Sequence, residues 1–231
     1  MPPPIVYNSA SLTLTVKGKS VTAIVVTSAT ATLTSTNMTG GSGPDGKILP
    51  PGWGGGSCPA HHNRGHLIGN HLGGPGDEKD NLVTLTAGTN HPFMYEYEDA
   101  VRRCVLANPG TSFTYTVECI YDGYQETPGF AIPGASGNPF CLFPAPAGLM
   151  LSLIRMGKYM TLKEVCDYLP TPPTDLGTAG LYIKLPIANG GYKLYSGATH
   201  TANTCWSVVQ DAHSATVQTA ANDYAKALGW V

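Results

Sequence analysis

The sequence predicts an α+β protein with a β-rich N-terminal segment, a central ββα unit and a C-terminal helix–hairpin–helix extension. Three observations lead there. Thr, Val and Ile alternate with other residues over 11–36. Residues 62–106 read as strand, loop, strand and helix, and helix and hairpin signals follow beyond residue 147.

Ser11-Leu12-Thr13-Leu14-Thr15-Val16 alternates polar and apolar side chains, Lys17-Gly18-Lys19 supplies a turn, Val21–Val26 continues, and Ala31-Thr32-Leu33-Thr34 alternates again. Residues 39–57 are a long Gly/Pro-rich loop. A short strand over 62–68 and another over 81–86 flank a Gly-rich excursion at 69–80. From Pro92 to about Leu106 the residues Phe93, Tyr97, Val101 and Cys104 recur at helical spacing, and Pro92 suits a first-turn position. Ser112–Ile120 alternates as a strand. Residues 122–148 are again rich in Gly and Pro and mark an internal boundary. A first domain of 1–130 would precede an α+β extension of 131–231, packed on it or continuous with it. In the extension Ala147–Met156 reads as a helix, and Thr161-Leu162-Lys163-Glu164 is a capping box opening Leu162–Tyr168. Leu181–Leu185 with Gly191–Tyr195 reads as a hairpin, and Asp211–Leu228 as a closing helix ended by Gly229.

Composition limits the function. The 231 residues suffice for a real core, and 42% of them are hydrophobic, which excludes intrinsic disorder. Charged residues are only 12%, against roughly 25% in ordinary soluble domains. A net charge of −2 excludes a strongly basic, non-specific phosphate binder at whole-chain level. Any grip on nucleic acid must be local or borrowed from a metal. The start, Met1-Pro2-Pro3-Pro4, lacks the basic and apolar regions of a secretory signal, and no stretch reaches the roughly 18 apolar residues of a membrane span. Cytosolic residence, export without a cleaved signal, and excision from a longer protein all fit. The six cysteines form no C-x-x-C pair and read equally as disulfide partners or buried thiols.

The chemistry concentrates in residues 61–103. His61, His62, His66 and His71 cluster there, with three of the four arginines of the chain, Arg64, Arg102 and Arg103. Gly65 beside His66 lets the backbone bend and a ligand approach. A strand–loop–strand–helix unit can hold an imidazole on a strand opposite an amide and a carboxylate from a helix. An unperturbed histidine is largely neutral above pH 7 and can deprotonate water. A divalent cation on Asn90 would neutralise charge growing on a phosphate oxygen.

This segment resembles the DNA/RNA non-specific endonucleases of the ββα-metal (His-Me finger) superfamily. Asn63-Arg64-Gly65-His66 stands where that family has Asp-Arg-Gly-His, followed by Leu67-Ile68, Gly73-Gly74, Asn81-Leu82-Val83, Asn90, Glu98 and Arg102. The intervals of nine from Asn81 to Asn90, eight to Glu98 and four to Arg102 agree with the family pattern. The resemblance implies a Mg²⁺-dependent endonuclease, with Mn²⁺ as a substitute, acting on DNA and possibly RNA. It makes His66 the general base, Asn90 the direct metal ligand, and Glu98 the group that orients a water on the metal. Arg64 and Arg102 would stabilise the phosphate in the transition state, and Arg103, Asn63 and Asn81 would add substrate contacts. The P–O3′ bond would break to leave a 5′-phosphate. A delivered nuclease toxin or effector would fit, and its producer would then need an immunity protein.

Two departures stand out: Asn63 replaces the family aspartate, and Leu85 stands where many members carry Gln. No arginine precedes Arg64, so Lys47 is the nearest upstream cation.

Other readings stay open at this point. His66 could be a structural histidine, Asn90 a helix N-cap, and Glu98–Arg102 a surface ion pair. Cys58, His61, His62 and His71 could make a zinc site. His91, His200 and His213 read as ordinary polar residues, and Cys205 as a buried thiol. The rival from another class is a non-catalytic β-rich binding module, favoured by the Thr-rich strands and low charge, or a zinc-stabilised structural module.

Overall fold

In a computed structural model the alternating N-terminal segment forms a long antiparallel hairpin. Its strands are β1 (Ile5–Val16) and β2 (Lys19–Leu33), running in register from Ile5 opposite Ala31 to Val16 opposite Lys19, with one irregularity at Asn8/Ser9. The structure describes residues 1–16, 19–51, 62–86, 89–120, 146, 148–171, 183–185, 192–196 and 206–209. The Lys17–Gly18 part of the turn, most of the 122–148 boundary, Cys58, His61, Cys141, His200, Cys205, His213 and the expected helix at Asp211–Leu228 lie outside the described residues.

The remaining strands are β3 (His62–His66), β4 (Leu82–Thr86), β5 (Phe113–Ile120), β6 (Gly148–Arg155), β7 (Lys158–Tyr159), β8 (Ile183–Leu185), β9 (Tyr192–Ser196) and β10 (Trp206–Val209). Eight of the strands form one antiparallel sheet in the order β1-β2-β5-β6-β10-β9-β8, with β7 paired to β6. The other two, β3 and β4, pair only with each other. Two α-helices are described, α1 (Tyr95–Ala107) and α2 (Leu162–Cys166).

The helix expected at Ala147–Met156 is instead β6, paired on both sides with β5 and β10. An apolar run of this length does not distinguish strand from helix by periodicity, and pairing decides it. Register puts Leu149, Leu151 and Leu153 on the same face as Val117, Tyr115 and Phe113 of β5 and Ala29, Ala31 and Leu33 of β2. All nine are buried without exposure. The opposite face carries hydroxyls, with Thr30 and Thr116 in hydrogen bond at 3.1 Å.

The helix after the β3–β4 pair supplies the cover. His91 is extended (φ −147°, ψ 128°), as a residue before proline prefers, and the chain coils beyond it into α1. Tyr97, Ala100, Val101, Cys104 and Val105 follow helical spacing and join Leu67, Ile68 and Leu72 in the core shared with the sheet. The capping box at Thr161 forms as predicted, with Thr161 Oγ1 accepting from Glu164 N–H and Glu164 accepting from Thr161 N–H. Among the described residues no helix is long and apolar enough to cross a membrane.

Candidate active site

The β3–β4 register sets the site. Asn63 pairs with Leu85, Arg64 with Thr84, Gly65 with Val83 and His66 with Leu82. Strand alternation sends Arg64 and His66 to one face and Asn63 and Gly65 to the other. A Cβ on Gly65 would lie 2.3 Å from Leu85 Cδ1 and 3.1 Å from Asn90 Oδ1. The glycine before His66 is therefore required by the close approach of the Asn90 side chain and Leu85, a packing reason for the Arg-Gly-His tripeptide.

His66 Nε2 lies 3.0 Å from the backbone oxygen of Ser42. A carbonyl only accepts, so Nε2 carries the hydrogen, and in the neutral ring Nδ1 is left as the acceptor. Burial pushes the His66 pKa below its ordinary 6.5, partly opposed by the bond to Ser42. The ring is thus neutral at physiological pH.

Ser42 belongs to a stretch, residues 41–51, bound along the face of the ββ pair. Its N–H donates to Gly74 O at 3.3 Å, and its Oγ accepts from Gly76 N–H at 2.8 Å. Asp45 N–H donates to Gly76 O at 2.8 Å, and Thr84 Oγ1 donates to Pro51 O at 2.9 Å. Backbones touch directly: a Cβ on Gly41 would lie 2.0 Å from Asn70 O, and one on Gly76 would lie 1.9 Å from Gly43 O. Arg64 completes the attachment, donating from Nη2 to Gly46 O at 2.8 Å and from Nε to Ile48 O. Its fork is engaged by loop carbonyls, so Arg64 anchors the stretch that holds His66. Neither Ser42 nor this anchoring was readable from the sequence, because both use backbone carbonyls far along the chain.

Glu98 is buried on α1, and its Oε1 accepts the Gly69 N–H at 2.8 Å. A Cβ on Gly69 would lie 2.0 Å from Glu98 Oε2, so the carboxyl needs glycine there. Burial raises the Glu98 pKa to about 8, with the Gly69 bond opposing. The Tyr115 hydroxyl is buried beneath without a hydrogen-bond partner among the described residues, and burial, then the neighbouring Glu98 charge, keeps it protonated. Glu98 and Arg102 do not form an ion pair. The i,i+4 pair on α1 is Asp99–Arg103 at 2.7 Å, which places Arg103 on the surface in an ordinary exposed pair. Arg102 is half-buried.

Asn81, expected to touch substrate, does not reach the surface. It is fully buried; its Oδ1 accepts from Ile68 N–H at 2.9 Å, and its Nδ2 donates to Ile68 O and Pro75 O, each at 3.0 Å. Asn81 clamps the loop between β3 and β4, and both of its Nδ2 hydrogens are used there. Asn63 is half-buried on the face away from His66.

His66 lies on one face of the β3–β4 pair, Asn90 Oδ1 lies against Gly65 on the other, and Glu98 holds Gly69 just beyond β3. Among the described residues no group of three or more His, Cys, Asp or Glu side chains gathers as a metal cage. Asn90 and Glu98 each carry side-chain oxygens, the donor type that suits a hard divalent cation. Burial is what raises the Glu98 pKa, and a cation beside the carboxyl would offset that cost.

Residues 25–132 match the family model of the DNA/RNA non-specific endonucleases. Among solved structures, an extracellular nuclease is similar at 17% identity and a TM-score of 0.40, over 91% of this chain and 86% of that one. No curated protein matches the chain.

Proposed function

With residues 25–132 carrying a DNA/RNA non-specific endonuclease domain, we propose that the chain is a metal-dependent endonuclease that hydrolyses phosphodiester bonds of DNA and RNA with little sequence preference. The observation that carries the reading is the state of His66. Its Nε2–H is committed to Ser42 O, and burial keeps the ring neutral, so Nδ1 is a general base at physiological pH. Nδ1 takes a proton from the water that attacks phosphorus, the P–O3′ bond breaks to leave a 5′-phosphate, and the departing 3′-oxygen takes a proton from solvent water to become a hydroxyl.

Asn90 Oδ1 would hold a divalent cation such as Mg²⁺ or Mn²⁺, with Glu98 reaching it through water, and the ion would supply charge neutralisation at the phosphate. Arg102 is the cation of α1 proposed to grip phosphate, and Arg64 contributes first by anchoring the 41–51 stretch. The protonation of Glu98 matters here. With its pKa near 8 the carboxyl is largely protonated at neutral pH until a cation draws the proton off. Cleavage at pH 6–7 should therefore need more metal than cleavage at pH 8, and raising the metal concentration should restore the rate at the lower pH.

The test is digestion of plasmid and of RNA with Mg²⁺, with Mn²⁺ and with EDTA, by the wild type and by Asn90→Ala. Cutting by the wild type in either metal, abolished by EDTA, is expected, and Asn90→Ala should cut only at much higher metal concentration. Intact substrates across several divalent metals would overturn the nuclease reading. An unchanged metal dependence in Asn90→Ala would leave Asn90 as a turn residue before Pro92.

A further inference from the structure

Three exposed rings stand together beside the proposed catalytic groups. Tyr95, the first residue of α1, is 43% exposed, and His71 and His91 are exposed as well. The His71 and Tyr95 ring centroids are 5.2 Å apart in an edge-to-face arrangement, and those of His91 and Tyr95 are 5.2 Å apart with planes tilted by 31°. Their places in the fold join them to the site. His91 follows Asn90 directly, Tyr95 lies three residues before Glu98 on α1, and His71 follows by two residues the Gly69 whose N–H holds Glu98. None of the three belongs to the apolar core.

We infer that His71, Tyr95 and His91 form a stacking platform for an unpaired nucleobase of a single-stranded nucleic acid next to the cleaved phosphate. The inference rests on the nuclease reading above and adds to it a strand preference. A chain of net charge −2 has little electrostatic grip to spare. Two of the three arginines near the site are committed within the protein, Arg64 to Gly46 and Ile48 and Arg103 to Asp99. Aromatic stacking provides a hold that every base can use, so it gains affinity without reading sequence. A paired base keeps its face against its neighbours in the duplex, so the platform favours single strands.

The experiment uses the full chain in two assays. The first is fluorescence-anisotropy binding, in EDTA, of a labelled single-stranded oligodeoxynucleotide and of an abasic oligomer with the same number of phosphates. The second is steady-state cleavage of single-stranded and duplex DNA with Mg²⁺. Tyr95→Ala should weaken binding of the base-bearing strand and raise its KM about 5- to 150-fold, the range for one stacked base. Binding of the abasic oligomer, KM on duplex and kcat should stay as in the wild type. Tyr95→Trp should keep the wild-type affinity, and His71→Ala should lose part of it. Unchanged binding of the base-bearing strand in Tyr95→Ala overturns the platform, as does an equal loss on the abasic oligomer with the melting temperature preserved. If Tyr95→Ala unfolds, His71→Ala and Tyr95→Trp decide by the same contrast. The nuclease reading fails separately: base-dependent binding without any cleavage would leave the platform standing and remove the catalysis.

Discussion

In the main sheet, the inward positions of β2, β5 and β6 are almost all apolar, and the strands satisfy their own backbones. The ββα unit beside it buries a different set. Asn81, Thr84 and Glu98 lie inside it, and glycines at 65, 69, 74 and 76 allow polar atoms or backbones to touch where a Cβ would collide. The sheet takes its stability from burial of hydrocarbon. The unit spends burial on fixing an imidazole, an amide and a carboxyl in place, and it holds a carboxyl with a raised pKa that a purely structural region would avoid. The contrast teaches where stability and activity should separate under mutation.

The largest stability effect belongs to the sheet. Phe113→Ala should cost about 3–5 kcal/mol in chemical denaturation, while the folded fraction keeps its cleavage rate. A fall in rate per folded molecule matching the fall in stability would erase the distinction between the two regions.

A smaller effect of opposite sign is expected at Glu98. Its folded pKa of about 8 exceeds the ordinary 4.5, so the stability it contributes is complete below about pH 4.5 and is lost as pH rises through 8. His66 acts the other way and below pH 6.5: its lowered folded pKa makes stability fall as pH drops beneath that value. Between pH 6.5 and 8, in EDTA, the wild-type melting temperature should therefore decline. Glu98→Gln should flatten that decline and still cut more slowly with Mg²⁺. A wild-type curve that rises over this interval would contradict the buried-carboxyl assignment.

The smallest effect sharpens the roles of two arginines. Arg64→Ala should release the 41–51 stretch, expose His66 and move the acid limb of the kcat/KM–pH profile up toward 6.5, with the salt dependence of KM unchanged. Arg102→Ala should raise KM and reduce the slope of log affinity against log salt by about one, without moving the acid limb. The reverse assignment of these two outcomes would make Arg64 the phosphate ligand.

How much of this was readable in the sequence depended on the range of each interaction. The Thr161 capping box and the turn of the β1–β2 hairpin are local and legible, although β1 starts at Ile5, six residues before the alternation that marks it in the sequence. The family resemblance of the Arg64–Arg102 segment was visible because it rests on particular residue types at nearly fixed intervals, and the family model matches residues 25–132. Ala147–Met156 reads as a helix in the sequence because the nearly continuous apolar run from Leu149 to Ile154 leaves the period open, and only the neighbours β5 and β10 select the strand. Arg64 and Asn81 are expected substrate contacts in the sequence; in the structure Arg64 bonds carbonyls 16 and 18 residues away and Asn81 bonds the backbone of Ile68 and Pro75. Backbone partners leave no trace in residue type. The rival reading of Glu98 and Arg102 as a surface ion pair does not hold, because the helix turns Glu98 into the core and leaves pairing to Asp99 and Arg103.

The most direct measurement is the nicking rate of supercoiled plasmid by His66→Ala beside the wild type, in Mg²⁺ at pH 8, with melting curves of both. The expected result is a loss of about 10²- to 10⁴-fold, the usual contribution of a general base, with the melting temperature little changed. Equal rates for the two proteins would contradict the assignment of His66 as the base.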